Sequence, residues 1–268
     1  MLSLKIPSSA TVKSTVKASL ADKYMSAVIA AMSAVFAFLF LYLTALALLK
    51  VFDNYFIIVA VSVAIFAILL AHPILLGAVR WFWRATDGCD EGPETVFYYF
   101  SSFSRYMRAI KCVLYIGFKT VGAFFVCLLP YLIVTLLSNS WIYQFLGTEM
   151  PVWSAALVLL QSFLRIAGIF IAVVLSAKYY LAPAVVVMDD GMHLLEAVYI
   201  SVMISRNSLG AFASLIVSLF FWILASFTLL PLVYTVPFIL GCYVVHCRYA
   251  LVNYNMTLDY FNEGKFDE

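Results

Sequence analysis

A permanent cation lies inside an apolar run in the second half of this chain. Gln161 and Arg165 stand four residues apart in the stretch after Pro151, so a helix carries both on one face. Arg165 falls roughly 20 Å below the start of that helix, inside a hydrocarbon layer roughly 30 Å thick. Lys178 follows 13 residues later, near the far interface, where a lysine snorkels to headgroups. Every acidic residue lies at a segment end or in a loop, so no carboxylate at that depth neutralises Arg165. Its partners are carbonyls, hydroxyls such as Ser162, water, or an anion from outside. A lipid phosphate would accept the guanidinium bidentately. An arginine hydrogen-bonded within the bundle, holding helices together, is the other reading.

A second cluster follows at Asp189, Asp190, Gly191, His193 and Glu196. Its types suit a metal, but a simpler account predicts that Asp189 or Asp190 caps the next helix and Glu196 supports its first turns. Cys242 and His246 lie one turn apart, and His72 or Cys247 would have to complete a zinc site. Zinc needs about four ligands and nothing fixes the others, so a buried thiol and imidazole are expected, with no metal. There is no Walker A pattern, no HExxH and no GxSxG elbow. The chain is expected to be non-enzymatic and without a cofactor.

The elements around these residues are membrane spans. The 268 residues are 65% hydrophobic and 11% charged, with a mean hydropathy of +1.04. Soluble domains run at about 45–50% apolar and 25% charged. The net charge of +2 says nothing about nucleic acid, but no basic cluster is dense enough for a phosphate-backbone footprint, so no nucleic-acid partner is expected. Five cysteines without a CxxC pair read as reduced thiols rather than a disulfide framework. After Lys5 the chain stays polar for about twenty residues, where a cleavable signal would show its apolar run.

The predicted fold is all-α, a polytopic membrane helical bundle of about six transmembrane helices. Residues 1–24 form an amphipathic, basic segment, with Val12, Val16 and Leu20 at spacing four, expected to lie on the membrane surface. Residues 25–257 form a single membrane domain with spans near 25–49, 54–79, 112–137, 152–181, 208–230 and 235–256. Pro73 is tolerated in the second span if a neighbour satisfies the freed carbonyl. The run Arg80-Trp81-Phe82-Trp83-Arg84 suits a headgroup interface. A cytoplasmic interfacial helix follows between spans two and three, its stripe being Val96, Phe100, Phe103, Met107 and Ile110. A further helix runs from Met192 towards Asn207, and Pro231 and Pro237 bracket a short turn at 232–236. Residues 258–268 are a tail. Lys and Arg gather on one side of such a bundle, which predicts both termini in the cytoplasm.

Two features carry a resemblance. One is Tyr179-Tyr180-Leu181-Ala182-Pro183, then Asp189-Asp190-Gly191, Glu196-Ala197, Ser201 and Arg206-Asn207; the other is Phe221-Trp222 in a span closed by Pro231 and Pro237. Together they resemble uncharacterised bacterial multi-pass membrane proteins related to the membrane domain of glycerophosphodiester phosphodiesterases. The likeness covers the last third of the chain and implies a bacterial inner-membrane protein; no soluble phosphodiesterase domain is expected among these residues. The leading expectation is a protein that binds or moves a lipid or other amphiphile near Arg165, with membrane lipids as partners. A permease subunit working with a separate ATPase is the alternative, and a membrane scaffold or immunity-type protein acting through another membrane partner is the third.

Overall fold

A computed structural model describes residues 7–51, 56–137 and 151–262. The described elements are helices: α1 (Ser9–Leu20), α2 (Tyr24–Val51), α3 (Phe56–Phe66), α4 (His72–Thr86), a 3-10 helix (Pro93–Phe100), α5 (Phe103–Leu137), α6 (Pro151–Ala177), α7 (Ala182–Met188), α8 (Leu194–Ala225) and α9 (Leu229–Asn262). Six helices are long and apolar enough to cross a membrane, so the all-α polytopic bundle stands. The chain divides into two compact units, residues 1–114 with 181–268, and residues 115–180.

In the larger unit α9 is the central helix. Its membrane window is 61% buried, against 6–22% for the other five spans, and it packs on α1, α2, α4, α7 and α8. On α2 the buried stripe is Ala27, Ala30, Ala31, Ala34 and Ala37. Small side chains at helical spacing let backbones approach closely, which is how helices associate where lipid is as apolar as the core.

Helix α1 forms where the spacing of Val12, Val16 and Leu20 predicts it, and Ser8 caps it by accepting from the Thr11 amide. Its stripe does not lie on lipid. Val12, Val16 and Leu20 are at most 4% exposed; Val16 sits over Gly241 of α9, and Lys13 Nζ donates to the Ser218 carbonyl of α8 at 2.7 Å. An apolar stripe fits a protein groove as well as a bilayer surface, and here it packs on protein.

The second span is one continuous helical stretch, 56–86, with a π turn at Ala67–Ala71 just ahead of Pro73. Proline has no N–H for the carbonyl four residues back, and its ring crowds that turn. The π turn absorbs the crowding, and Tyr106 Oη donates to the Leu69 carbonyl at 2.9 Å. The expected satisfaction of the freed carbonyl is present. The helix runs on to Thr86, past the predicted end at 79, and Trp81, Phe82 and Trp83 are 1%, 0% and 8% exposed. The aromatic run is therefore core, not headgroup anchor. Gly77 shows why. The Val96 carbonyl of the 3-10 helix occupies the place where a Cβ would stand, so only glycine lets that element settle on α4.

Four further boundaries move. The predicted interfacial helix is two elements, the 3-10 helix and the start of α5, broken at Ser101–Ser102. The fourth span ends at Ala177 and restarts as the short α7. The helix predicted from Met192 and the span predicted at 208–230 are the single helix α8. The turn before the last span lies at 226–228, not 232–236. Pro231 is in the first turn of α9, where proline costs no hydrogen bond, and Pro237 lies inside that helix.

In the smaller unit, Gly168 of α6 packs against the Cys127 carbonyl and Leu128 of α5. Residues 115–180 hold three of the sixteen Lys and Arg (Lys119, Arg165, Lys178) and one of the fourteen Asp and Glu, Glu149. The net charge of +2 therefore belongs wholly to this unit, and the remainder is balanced at thirteen against thirteen.

Candidate functional site

A polar network in the larger unit begins at Arg80. Because α4 continues beyond its apolar run, Arg80 is carried into the packed region and is only 4% exposed. A guanidinium held there needs a partner. Asp190 supplies it, with Arg80 Nη1 2.9 Å from Oδ1. The other carboxylate oxygen, Oδ2, accepts from Tyr98 Oη at 2.6 Å. The Tyr98 ring lies under two cations, Arg80 Cζ at 3.6 Å and Arg105 Cζ at 4.3 Å from its centroid. Arg105 also donates to Ser101 Oγ at 2.8 Å. Arg108 spans the end of α7 and the following loop, donating to the carbonyls of Val186, Asp189 and Met192.

Burial alone would raise the Asp190 carboxyl. Hydrogen bonds from Tyr98 and Arg80, with the charges of Arg80 and Arg108, outweigh it and hold the group below the usual carboxylate range. Tyr98 is shifted up, by burial first and then by its bond to Asp190. Burial also raises Tyr99, whose buried hydroxyl has no hydrogen-bond partner among the described residues. This network ties α4, the 3-10 helix, the start of α5 and the loop before α8 into one clasp.

Beside it, the turn after α4 is acidic and equally engaged. Gly88 turns the chain at φ +85°, a left-handed conformation that favours glycine. Asp87 pairs with Arg248 of α9, Asp90 with Lys23 at 3.4 Å, and Glu91 with Arg84 at 2.7 Å. Lys23 also donates to the Cys89 carbonyl at 2.7 Å, and Trp81 Nε1 to the Glu91 carbonyl at 3.1 Å.

The predicted cap is therefore corrected. Asp190 is taken by Arg80 and Tyr98, and Asp189 Oδ1 accepts from the Gly191 amide at 2.7 Å, closing its own turn. The cap of α8 is His193, which makes no side-chain cap bond, while Glu196 does lie in the first helical turn. Among the described residues no group of three or more His, Cys, Asp and Glu is placed to hold a metal. All five cysteines are free thiols; Cys242, Cys247 and His246 are buried.

In the smaller unit, Arg165 is exposed near the middle of α6 and Gln161, half-buried, shares its face. Phe163, Ile166 and Phe170 beside it are exposed as well. Lys178 follows in the turn after α6, its Nζ 5.1 Å from the Tyr179 ring centroid, about 20 Å along the chain axis from Arg165. Gln161 and Arg165 are thus together, and Lys178 stands apart. The pair Arg80–Asp190 was missed by sequence reasoning. Its signal is faint: an arginine at the end of an apolar run, and an acidic pair 110 residues later.

No protein-family model, curated protein or solved structure matches this chain. Six long apolar helices make it a multi-pass integral membrane protein.

Proposed function

We propose that this membrane protein binds an anionic amphiphile, a lipid or lipid-like molecule, at Arg165, and that it works by binding or moving it rather than by catalysis. The observation that carries the reading is an arginine exposed at mid-length on a helix of 27 residues, among exposed apolar side chains. A guanidinium at mid-bilayer costs roughly 2.5–3.5 kcal/mol, and a phosphate gripped bidentately offsets that cost. The charge balance supports the same reading, because the unit that carries Arg165 holds all of the net positive charge. We infer a bacterial inner membrane from the resemblance of the last third of the chain, and cytoplasmic termini from the one-sided distribution of Lys and Arg.

Mass spectrometry of the full chain in native nanodiscs tests this. One anionic amphiphile enriched over the bulk membrane and lost in Arg165→Leu is the expected result. Equal enrichment in wild type and Arg165→Leu would overturn it, and a stoichiometric ATPase partner would replace it with a transporter-subunit reading.

A further inference from the structure

We propose that the elbow between the 3-10 helix and α5 is a second, separate lipid site, in which Arg105 grips the phosphate of an anionic phospholipid and Phe97 and Phe103 seat its acyl boundary. Arg105 is exposed yet held in place: its guanidinium lies on the Tyr98 ring, and one nitrogen donates to Ser101 Oγ. A guanidinium presents five N–H groups in a planar fork, so one bond and one face leave a donor edge for a bidentate phosphate. The platform is itself fixed. Tyr98 is locked to Asp190, and Asp190 to the buried Arg80.

The charges point the same way. Asp190 is matched to Arg80, Asp87 to Arg248, Asp90 to Lys23 and Glu91 to Arg84. Among the described residues no carboxylate forms an ion pair with Arg105. Other parts of the same elbow are open and apolar: Phe103 is 79% exposed and Phe97 54%, and the hydroxyl-bearing Ser101, Ser102 and Ser104 are exposed as well. Two open phenyl rings in the elbow that holds the cation suit an amphiphile, which spans more than one face of a helix, better than a soluble phosphate. Depth agrees, since Arg105 precedes Cys112, where the apolar run of α5 begins, by seven residues, about 10 Å of helix. That is the level of headgroups rather than acyl chains.

The inference stands on the larger unit and does not depend on Arg165. Its test uses the full chain in nanodiscs of phosphatidylcholine doped with phosphatidylglycerol, counting phosphatidylglycerol retained per protein after stepwise delipidation. Arg105→Gln is expected to remove one tightly held phosphatidylglycerol and to lower its enrichment several-fold, with Arg105→Lys intermediate because it keeps charge without the fork. Phe103→Ser, at a side chain open to its surroundings, is expected to weaken the same lipid and serves if Arg105→Gln does not fold. Losses from Arg105→Gln and Arg165→Leu add if both sites exist, and each variant alone reports on its own site. Unchanged retention in Arg105→Gln and Phe103→Ser overturns the elbow site, as does displacement of that lipid by soluble glycerol phosphate.

Discussion

The Arg80–Asp190 pair is asymmetric in burial, and that asymmetry sets what each deletion does. Arg80 has a side chain 5% exposed, whereas that of Asp190 is 44% exposed. Removing Asp190 strands a cation inside the protein; removing Arg80 leaves a carboxylate that water reaches. Asp190→Ala is therefore expected to cost about 3 kcal/mol, the low end for breaking a buried pair, and Arg80→Met about 1–2 kcal/mol. Urea or thermal unfolding in a mild detergent reads the difference, and equal costs would show that the pair shares its burden evenly. The pH dependence has a definite sign. Asp190 is held below its unfolded value, so its contribution is complete above the ordinary carboxylate pKa of about 3.9 and is lost as pH falls through the lower folded value. Wild type is expected to lose that increment on acidification, and Asp190→Ala to show a flatter acid limb. None of this pairing was readable beforehand. The two residues are 110 positions apart, and nothing local marks an acid that serves a distant arginine rather than the helix beside it.

At the scale of elements, the described structure spends its polar groups on repairing helices. Pro73 deprives the Leu69 carbonyl of its helical donor, and Tyr106 replaces it from α5. Nothing else in the helix replaces that bond, so Tyr106→Phe is expected to cost about 1 kcal/mol. The cost should nearly vanish in a Pro73→Ala background, where the helix supplies its own N–H. A double-mutant cycle on unfolding free energies measures that coupling, and a cycle that sums to zero would mean that the contact is incidental. Gly77→Ala is the harsher change, because the new methyl would meet a backbone carbonyl rather than a pliable side chain. Overpacking of that kind costs about 1–3 kcal/mol or more, read as loss of folded protein on gel filtration. The spans themselves were legible, since charge-free runs such as 24–49 allow little else. The elbow was not. Its apolar residues recur at three and four from Val96 to Ile110, a spacing that suits a 3-10 helix and an α-helix alike, so the break at Ser101–Ser102 leaves no trace in the pattern.

For the whole molecule, amphipathic patterns told where apolar faces lie but not what covers them. Val12, Val16 and Leu20 read as a surface stripe and are core; Trp81 and Trp83 read as interface anchors and are core. Arg165 was legible as an unusual cation, and its exposure on α6 keeps that reading open to experiment. The docking of α1 has a consequence that separates protein packing from membrane contact. Val16 is fully buried and Lys17, the next residue, is exposed, so an aspartate at the two positions should behave oppositely. Val16→Asp is expected to destabilise by more than about 3 kcal/mol, the cost of an unpaired buried charge, and Lys17→Asp by less than about 0.5 kcal/mol, as at an ordinary surface position. A helix that merely lay on lipid would rank the two differently, because Lys17→Asp would also weaken its attraction to anionic headgroups. The ranking can be read in neutral detergent and again in anionic nanodiscs: packing on α9 predicts the same order in both, and an order that reverses in the nanodiscs would move α1 from the protein core to the membrane surface.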